Sequence, residues 1–390
     1  MDRYAGDKRS ERRSRKRKDK PDGSKSWIRN PFLWLGLVVI LAVIAGGVFL
    51  AMRARGESAS ASEAVAGTGA DTQTTVTGEV PLASATDQIV AGMSLEEKIG
   101  QMMMVGFDGS GPGPDVTKAI QDLHVGSLIL FTRNIGSHEQ VAGMDAELQK
   151  LAAGAKQPAK LIIAIDQEGG STRRFTDIGP FYSQPMIGEM ATEAAAAAAQ
   201  QQASSAARDL KKLGINTNLA PDIDVSDGWG SVMDGRSFGT TQETVTKLGV
   251  KAVRGYNNAT TISCPKHFPG HGSADGSSED SLPTVDLSLE AIQQSELVPF
   301  QEVIKEGAPM IMVAHLNVPA LDASGTPASL SKPLVTDLLR KSMGFTGVII
   351  TAYLEMGAHP ASRSVAEARV AAVPAGSAMG QVRRVPGTYA

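Results

Sequence analysis

Side chains that can exchange hydrogen bonds with hydroxyl groups stand where several short apolar runs of the chain end. Asp166 ends one run and Arg174 follows it, while Lys266 and His267 end another. Carboxylates accept hydrogen bonds from hydroxyls, and Arg and Lys side chains donate them. A structural role, such as Asp166 capping a following helix, explains each residue equally well when it is taken alone. The elements that carry these residues therefore decide between the two interpretations.

The same argument extends to Asp224, Arg236 and His315, which lie at comparable points of the chain. His267 and His271 have the i, i+4 spacing of two zinc ligands on a helix. The proline and glycines of this segment stop a helix there. The spacing therefore does not predict a metal site.

Apolar runs alternate with helix-like stretches between residues 102 and 353. The runs are predicted strands: Met102–Phe107, Ser127–Phe131, Leu161–Asp166, Ile215–Val225, Thr261–His267, Met310–Leu316 and Gly347–Tyr353. The stretches rich in Ala, Glu, Gln and Lys are predicted helices: His138–Gly154, Ala191–Leu213, Gln242–Gly255, Ser288–Glu306 and Lys332–Ser342. This alternation predicts an α/β fold with a parallel sheet. Apolar strands that end in polar residues favour a (β/α)8 TIM-type barrel, whose chemistry lies at the carboxyl ends of the strands. An open doubly wound sheet is the alternative, but no Gly-rich dinucleotide loop follows the first strand.

A barrel places the polar strand ends at one shared site. The residues that fall at this end of successive strands are Asp166, Asp224, Lys266, His267 and His315. Only seven strands are predicted, because residues 359–390 contain no further strand-like run. We therefore expect a barrel that is incomplete at the C-terminus, with two unpaired edges.

The N-terminal part of the chain predicts a membrane anchor. Residues 1–30 contain 12 Lys and Arg against 5 Asp and Glu, and the uncharged apolar stretch Phe32–Met52 follows. About 20 apolar residues span a bilayer as a helix. The positive-inside rule places residues 1–30 in the cytoplasm and the body of the chain outside the plasma membrane. A cleaved signal peptide is the alternative, but the apolar run is long and no clear cleavage site follows it.

The predicted organisation has five parts. They are a basic cytoplasmic head (1–30), one transmembrane signal anchor (31–53), a flexible linker (54–84), a barrel domain (85–358) and an atypical tail (359–390). Beyond residue 30 the chain carries 26 basic and 36 acidic residues. This acidic balance argues against nucleic acid as a partner, because phosphate binding needs a basic face. The single cysteine excludes an internal disulfide and a multi-cysteine zinc site.

Five segments, in this order, resemble glycoside hydrolase family 3. They are Asp166–Gly170 (Asp-Gln-Glu-Gly-Gly), Arg236–Gly239 (Arg-Ser-Phe-Gly), Lys266–Gly272, Pro327–Ser331 and Gly344–Thr351. The form Lys-His-Phe-Pro-Gly-His-Gly is similar to the β-N-acetylhexosaminidase (β-N-acetylglucosaminidase) branch. The similarity covers roughly Ser94 to Ala358.

The resemblance implies an eight-stranded barrel that removes terminal β-linked N-acetylglucosamine, typically from peptidoglycan fragments. It also implies a retaining mechanism, in which a carboxylate attacks the anomeric carbon and a proton donor releases the leaving group. The positions that match the family's sugar-contacting residues are Asp166, Arg174, Arg236, Lys266 and His267. No metal ion or organic cofactor is implied.

The proton donor of the family is replaced in this chain. Related enzymes carry an Asp-Ser/Thr-His triplet after His-Gly, and here Ser277, Ser278 and Glu279 take its place. Glu279 is a candidate acid/base if burial or a neighbouring carboxylate, from Asp275 or Asp280, raises its pKa. A solvated acidic loop is the alternative.

Ala352 occupies the position of the family's nucleophilic Asp. A methyl group cannot form the glycosyl–enzyme bond, and losing such a group commonly costs several orders of magnitude in rate. Tyr353 is a chemically competent nucleophile, but strand alternation predicts that its side chain and that of Ala352 point to opposite faces. Nothing in the spacing predicts that Glu355 reaches the same point.

Three hypotheses follow. The chain is a retaining β-N-acetylglucosaminidase on the outer face of the plasma membrane, a catalytically inactive saccharide-binding protein of the cell surface, or a defective fragment. A β-glucosidase of the same family is a weaker alternative, because the chain has no room for the second domain usual in those enzymes. A reading-frame error after Ala358 would explain the atypical tail.

Overall fold

The computed structural model describes residues 82–228, 230–357 and 364–385. The predicted head, the anchor and nearly all of the linker lie outside these ranges, as do residues 359–363 and 386–390 of the tail. Within the described ranges, no helix is both long enough and apolar enough to cross a bilayer.

Eight parallel strands form a nearly closed barrel. The strands are β1 (Met103–Gly106), β2 (Ser127–Leu130), β3 (Ile162–Ile165), β4 (Thr217–Asn218), β5 (Ile262–Ser263), β6 (Met310–Val313), β7 (Val348–Tyr353) and β8 (Met379–Val382). They lie in the order β5-β4-β3-β2-β1-β8-β7-β6. Two hydrogen bonds join the segment that follows β5 to the end of β6: Phe268 N donates to Met312 O at 2.8 Å, and Ala314 N donates to Phe268 O at 2.9 Å. The predicted TIM-type α/β class is confirmed.

Helices surround the strands. They are α1 (Leu82–Gly92), α2 (Leu95–Gln101), α3 (Pro114–Gln121), α4 (His138–Gly154), α5 (Gln184–Gly188), α6 (Thr192–Lys212), α7 (Gln242–Asn258), α8 (Leu289–Gln294), α9 (Leu297–Lys305), the π-type helix α10 (Pro333–Ser342) and α11 (Val365–Ala375). Three of them are capped by Ser94, Ser137 and Thr241. Each of these side chains accepts a hydrogen bond from the backbone N–H of the residue three positions later. These three helices therefore begin where the sequence supplies a cap.

The core lies on both sides of the strands. Apolar strand residues such as Met104, Ile129 and Met312 are buried inside the barrel, while alternate strand residues pack against the helices. Helices α6 and α7 pack closely because α6 buries alanines and because a Cβ at Gly255 would collide with a carbonyl oxygen of α6. These two layers hold the strand ends in fixed positions.

The expected incomplete barrel is wrong, because the tail supplies an eighth strand. β8 lies between β1 and β7, with Gln381 opposite Met104 and Met379 opposite Ile350. Helix α11 precedes it, with a capping box between Ser364 and Glu367 at its start. The sequence of β8, Met-Gly-Gln-Val, has no apolar run, and pairing on both sides makes it a strand.

Strand β7 contains a bulge beside the polar strand ends. Ile350 pairs with Met379 and Tyr353 pairs with Gln381, so three steps along β7 match two along β8. The extra residue breaks the alternation of side chains. Ala352 and Tyr353 both reach the cavity inside the barrel, and the prediction that they point to opposite faces is wrong.

Candidate active site

A cavity of about 260 Å³ lies at the carboxyl ends of the strands. Its lining includes all five residues predicted to contact a sugar: Asp166, Arg174, Arg236, Lys266 and His267. Asp166 follows β3 directly, and Lys266 and His267 follow β5. Arg236 reaches the cavity from the long loop between β4 and α7. The structure thus brings together residues that are up to 101 positions apart in the sequence.

Two buried carboxylates and three cations form a connected network in this cavity. Lys266 Nζ lies 3.0 Å from Asp166 Oδ1 and 2.5 Å from Glu168 Oε1. Arg236 donates two hydrogen bonds to Glu168, from Nε at 3.0 Å and from Nη2 at 2.7 Å. Arg174 Nη2 donates to Asp166 Oδ2 at 3.1 Å. Glu168 was not predicted as a site residue, although it belongs to the Asp166–Gly170 motif and lies two residues after Asp166.

The network keeps its members charged. Burial works to raise the pKa of Asp166, but Lys266 and Arg174 outweigh it and the pKa is lowered. Burial likewise opposes ionisation of Glu168, and the charges of Arg236 and Lys266 lower its pKa. For Lys266, burial acts to lower the pKa, and the two carboxylates raise it. The cavity floor therefore presents fixed ionised groups.

Asp224 holds His267 from behind the cavity. His267 Nδ1 lies 2.7 Å from Asp224 Oδ2, and the backbone N–H groups of His267 and His271 donate to Asp224 Oδ1 at 3.1 and 2.7 Å. Arg236 Nη2 lies 3.4 Å from His267 Nε2. A guanidinium only donates, so Nε2 accepts and Nδ1 carries the proton. Burial and the charge of Arg236 lower the pKa of His267 to about 3, and the ring is neutral.

Another buried acid, Asp222, lies beside Asp224 and His267. One ligand atom each from Asp222, Asp224 and His267 lies within 4.8 Å of the others, a spacing that a metal ion could bridge. However, the Arg236 guanidinium lies 3.6 Å from Asp222 Oδ2 and opposes a second cation there. Burial and the charge of Asp224 raise the pKa of Asp222 to about 8. Asp222 therefore holds a proton over much of the neutral pH range, and this proton reduces the negative charge beside Asp224.

Ala352 and Tyr353 complete the floor of the cavity. The Tyr353 hydroxyl donates a hydrogen bond to Asp166 Oδ2 at 3.2 Å. His315 does not line the cavity; its Nε2 lies 2.9 Å from the Tyr353 carbonyl oxygen and its Nδ1 lies 2.6 Å from Ser329 Oγ. The hydrogen bond from His315 to this carbonyl oxygen fixes the end of β7. Glu355 also lies outside the cavity lining, where Oε1 accepts from Arg383 N at 2.8 Å.

Glu279 lies at the rim of the cavity. Its side chain is 49% exposed and forms an ion pair with Arg383. The backbone of its loop is tied to the end of β7, since Gly357 N donates to Glu279 O at 3.0 Å. Burial, one of the two conditions named for the acid/base hypothesis, is not met at this half-exposed side chain, and the role of Glu279 stays a prediction.

Comparison with known proteins identifies the lineage. The profile of the glycosyl hydrolase family 3 N terminal domain matches residues 94–384. The chain belongs to glycosyl hydrolase family 3. The match passes Ala358 and includes β8, so the expectation that the family similarity ends at Ala358 is wrong. The reading-frame error stays a hypothesis that this match does not support.

Several relatives in family 3 carry names that describe their activity. The β-hexosaminidase A of Pseudoalteromonas piscicida is 35% identical over 257 residues, which are 62% of this chain and 43% of that protein. A family 3 β-N-acetylglucosaminidase structure from Paenibacillus sp. str. FPU-7 shows 38% identity and a TM-score of 0.71, and covers 75% of this chain and 55% of that one. NagZ from Neisseria gonorrhoeae, solved with N-trifluoroacetyl-D-glucosamine, shows 31% identity and a TM-score of 0.66, and covers 73% and 82%. The chain thus spans less than half of the Pseudoalteromonas protein.

Proposed function

We propose that this family 3 chain binds a terminal β-linked N-acetylglucosamine residue in the cavity, as a β-N-acetylhexosaminidase whose chemical step is slowed by Ala352. The observation that carries the proposal is the convergence of Asp166, Arg174, Arg236, Lys266 and His267 on one cavity. The names of the relatives support the choice of sugar. Peptidoglycan fragments and related glycans are the substrate class that this sugar indicates.

The cavity has the donors and acceptors that a pyranose needs. Asp166 stays ionised and accepts hydrogen bonds from sugar hydroxyls. Arg174 lines the cavity with part of its side chain exposed, and its guanidinium can donate to a ligand oxygen. His267, neutral and fixed by Asp224, presents an imidazole edge beside Lys266. These groups orient a saccharide without any covalent step.

The chemical step lacks a group at the position that matches the family nucleophile. A retaining mechanism forms a bond between a carboxylate oxygen and the anomeric carbon while a proton moves to the leaving oxygen. The Ala352 methyl group cannot form that bond. The carboxylates that line the cavity, Asp166, Glu168 and Glu279, are each ion-paired. This observation favours a second candidate function, a saccharide-binding protein of the cell surface without turnover.

Substitution at Ala352 separates the two functions. We expect A352D to raise the turnover of a nitrophenyl β-N-acetylglucosaminide by roughly 100-fold or more over the unmodified chain, because it returns a carboxylate to the reacting face. A352N has nearly the same shape but no nucleophilic oxygen, and it should leave turnover unchanged. No gain in A352D, with sugar binding retained, would contradict the proposed hydrolase function and favour the saccharide-binding protein.

The same assay tests Glu279 as proton donor. A nitrophenolate leaves without protonation, whereas an alkyl alcohol needs a general acid. In the A352D background, E279Q should therefore lower kcat/KM for an alkyl glycoside while it leaves kcat/KM for the nitrophenyl substrate nearly unchanged, because kcat/KM reports the step in which the leaving group departs. An alkyl glycoside whose kcat/KM is the same with and without E279Q would reject the role.

We also propose that residues 31–53 anchor the chain in the plasma membrane as a single-pass helix, with the N-terminus in the cytoplasm and the barrel outside. The proposal is supported by the uncharged apolar stretch and the preceding basic cluster. Deletion of residues 31–53 should move the chain from the membrane fraction to the supernatant. Retention in the membrane fraction would contradict the anchor.

A further inference from the structure

The Tyr353 hydroxyl occupies a hydrogen-bonding position at the sugar-facing carboxylate. It donates to Asp166 Oδ2 at 3.2 Å, and the residue is only 8% exposed. The ring packs against Phe131, with centroids 5.7 Å apart, and the Arg383 guanidinium lies 5.1 Å above it. The bulge in β7 turns this side chain into the cavity, and the bond from His315 holds its carbonyl oxygen.

We propose that the Tyr353 hydroxyl occupies a hydrogen-bonding position on Asp166 that a sugar hydroxyl would otherwise take. Tyr353 thereby limits the affinity of the cavity for a saccharide. The inference rests on the proposed function, since it concerns the affinity of the same cavity. It assigns Tyr353 a role in affinity.

The acceptor capacity of Asp166 supports the inference. A carboxylate offers about four lone-pair positions. Lys266, Arg174 and Tyr353 already donate to Asp166. One position remains for a ligand, while two adjacent sugar hydroxyls that share one carboxylate need two. A saccharide must therefore forgo one hydrogen bond to Asp166 or displace the phenol.

Tyr353 does not fit the alternative role of nucleophile. Burial raises its pKa well above the ordinary value, and the negative charge of Asp166 raises it further. Asp166 is also a weak base, since Lys266 and Arg174 stabilise its ionised form. The phenol therefore keeps its proton and acts as a hydrogen-bond donor, which is what a substitute for a sugar hydroxyl must do.

Calorimetric titration with N-acetylglucosamine tests the inference on the full chain in detergent. Y353F removes the hydroxyl and keeps the ring against Phe131. We expect about tenfold tighter binding by Y353F, because a ligand hydroxyl gains one hydrogen bond to a charged group. Y182F is the matched control, since Tyr182 lies outside the cavity lining and is exposed, and its affinity should equal that of the unmodified chain.

The outcomes separate the inference from the proposed function. Tighter binding by Y353F alone, including binding that the unmodified chain lacks, supports both. Equal or weaker binding by Y353F, with clear binding by the unmodified chain, overturns the inference and leaves the saccharide site in place. If no protein binds although each unfolds cooperatively on heating, the proposed function fails and the inference fails with it.

Discussion

At the scale of single residues, the sequence predicts a site residue best when a motif and a strand end coincide. Asp166, Lys266 and His267 meet both conditions, and all three line the cavity. Glu168 was not predicted, because its partner Arg236 lies 68 residues away in the chain and no local sequence pattern indicates an ion pair over that distance. The ionised state of these groups is likewise a property of their mutual distances, which only the fold supplies.

Burial of one carboxylate away from the cavity has a measurable consequence. Asp145 on α4 is 1% exposed, and neither carboxylate oxygen has a hydrogen-bond partner within the described part of the chain. Burial raises its pKa from 3.8 to about 8. The unfolded chain releases this proton near pH 4, while the folded chain keeps it until about pH 8. The free energy of unfolding therefore falls as the pH rises through this window.

Substitution of Asp145 tests this titration. We expect D145N to be more stable than the unmodified chain at pH 8, by on the order of a few kcal/mol, with a smaller difference at pH 5. The measurement is urea unfolding of both proteins at the two pH values. E147Q, on the exposed face of the same helix, is the control and should show no such pH-dependent gain. A D145N difference that does not grow with pH would contradict the buried, protonated state.

At the scale of elements, long periodic segments are predictable and short paired ones are not. Helix α4 has the bounds that the sequence predicted, whereas the predicted helix Ser288–Glu306 is divided into α8 and α9. β8 was missed because Met-Gly-Gln-Val becomes a strand only through hydrogen bonds to both neighbours. The tail therefore supplies the eighth strand of a barrel that was predicted to be incomplete.

The bulge in β7 shows how one extra residue changes the chemistry of a site. Alternation of side chains along a strand predicted that Tyr353 and Ala352 point to opposite faces. The prediction fails because the three residue steps from Ile350 to Tyr353 match only two from Met379 to Gln381. Bulges depend on the register of the neighbouring strand, and β8 was itself not predicted. The position of Tyr353 beside Asp166 could not be inferred from sequence for this reason.

At the scale of the whole molecule, the alternation of strands and helices sufficed to predict the barrel and the end at which its polar residues meet. The motif order sufficed to predict the family, whose profile matches residues 94–384. The head and the anchor stay predictions, since they lie outside the described residues. The molecule thus combines a family 3 barrel with a cavity lined by the charged residues that we propose to contact a sugar and by Ala352, whose place at the nucleophile position stays a prediction.

A crystal structure of the chain with N-acetylglucosamine tests this description most directly. We expect the pyranose ring inside the cavity, with hydroxyl oxygens within hydrogen-bond distance of Asp166 and of the Arg174 guanidinium. A sugar bound at another surface, with the cavity unchanged, would contradict the proposal that these residues form a saccharide site.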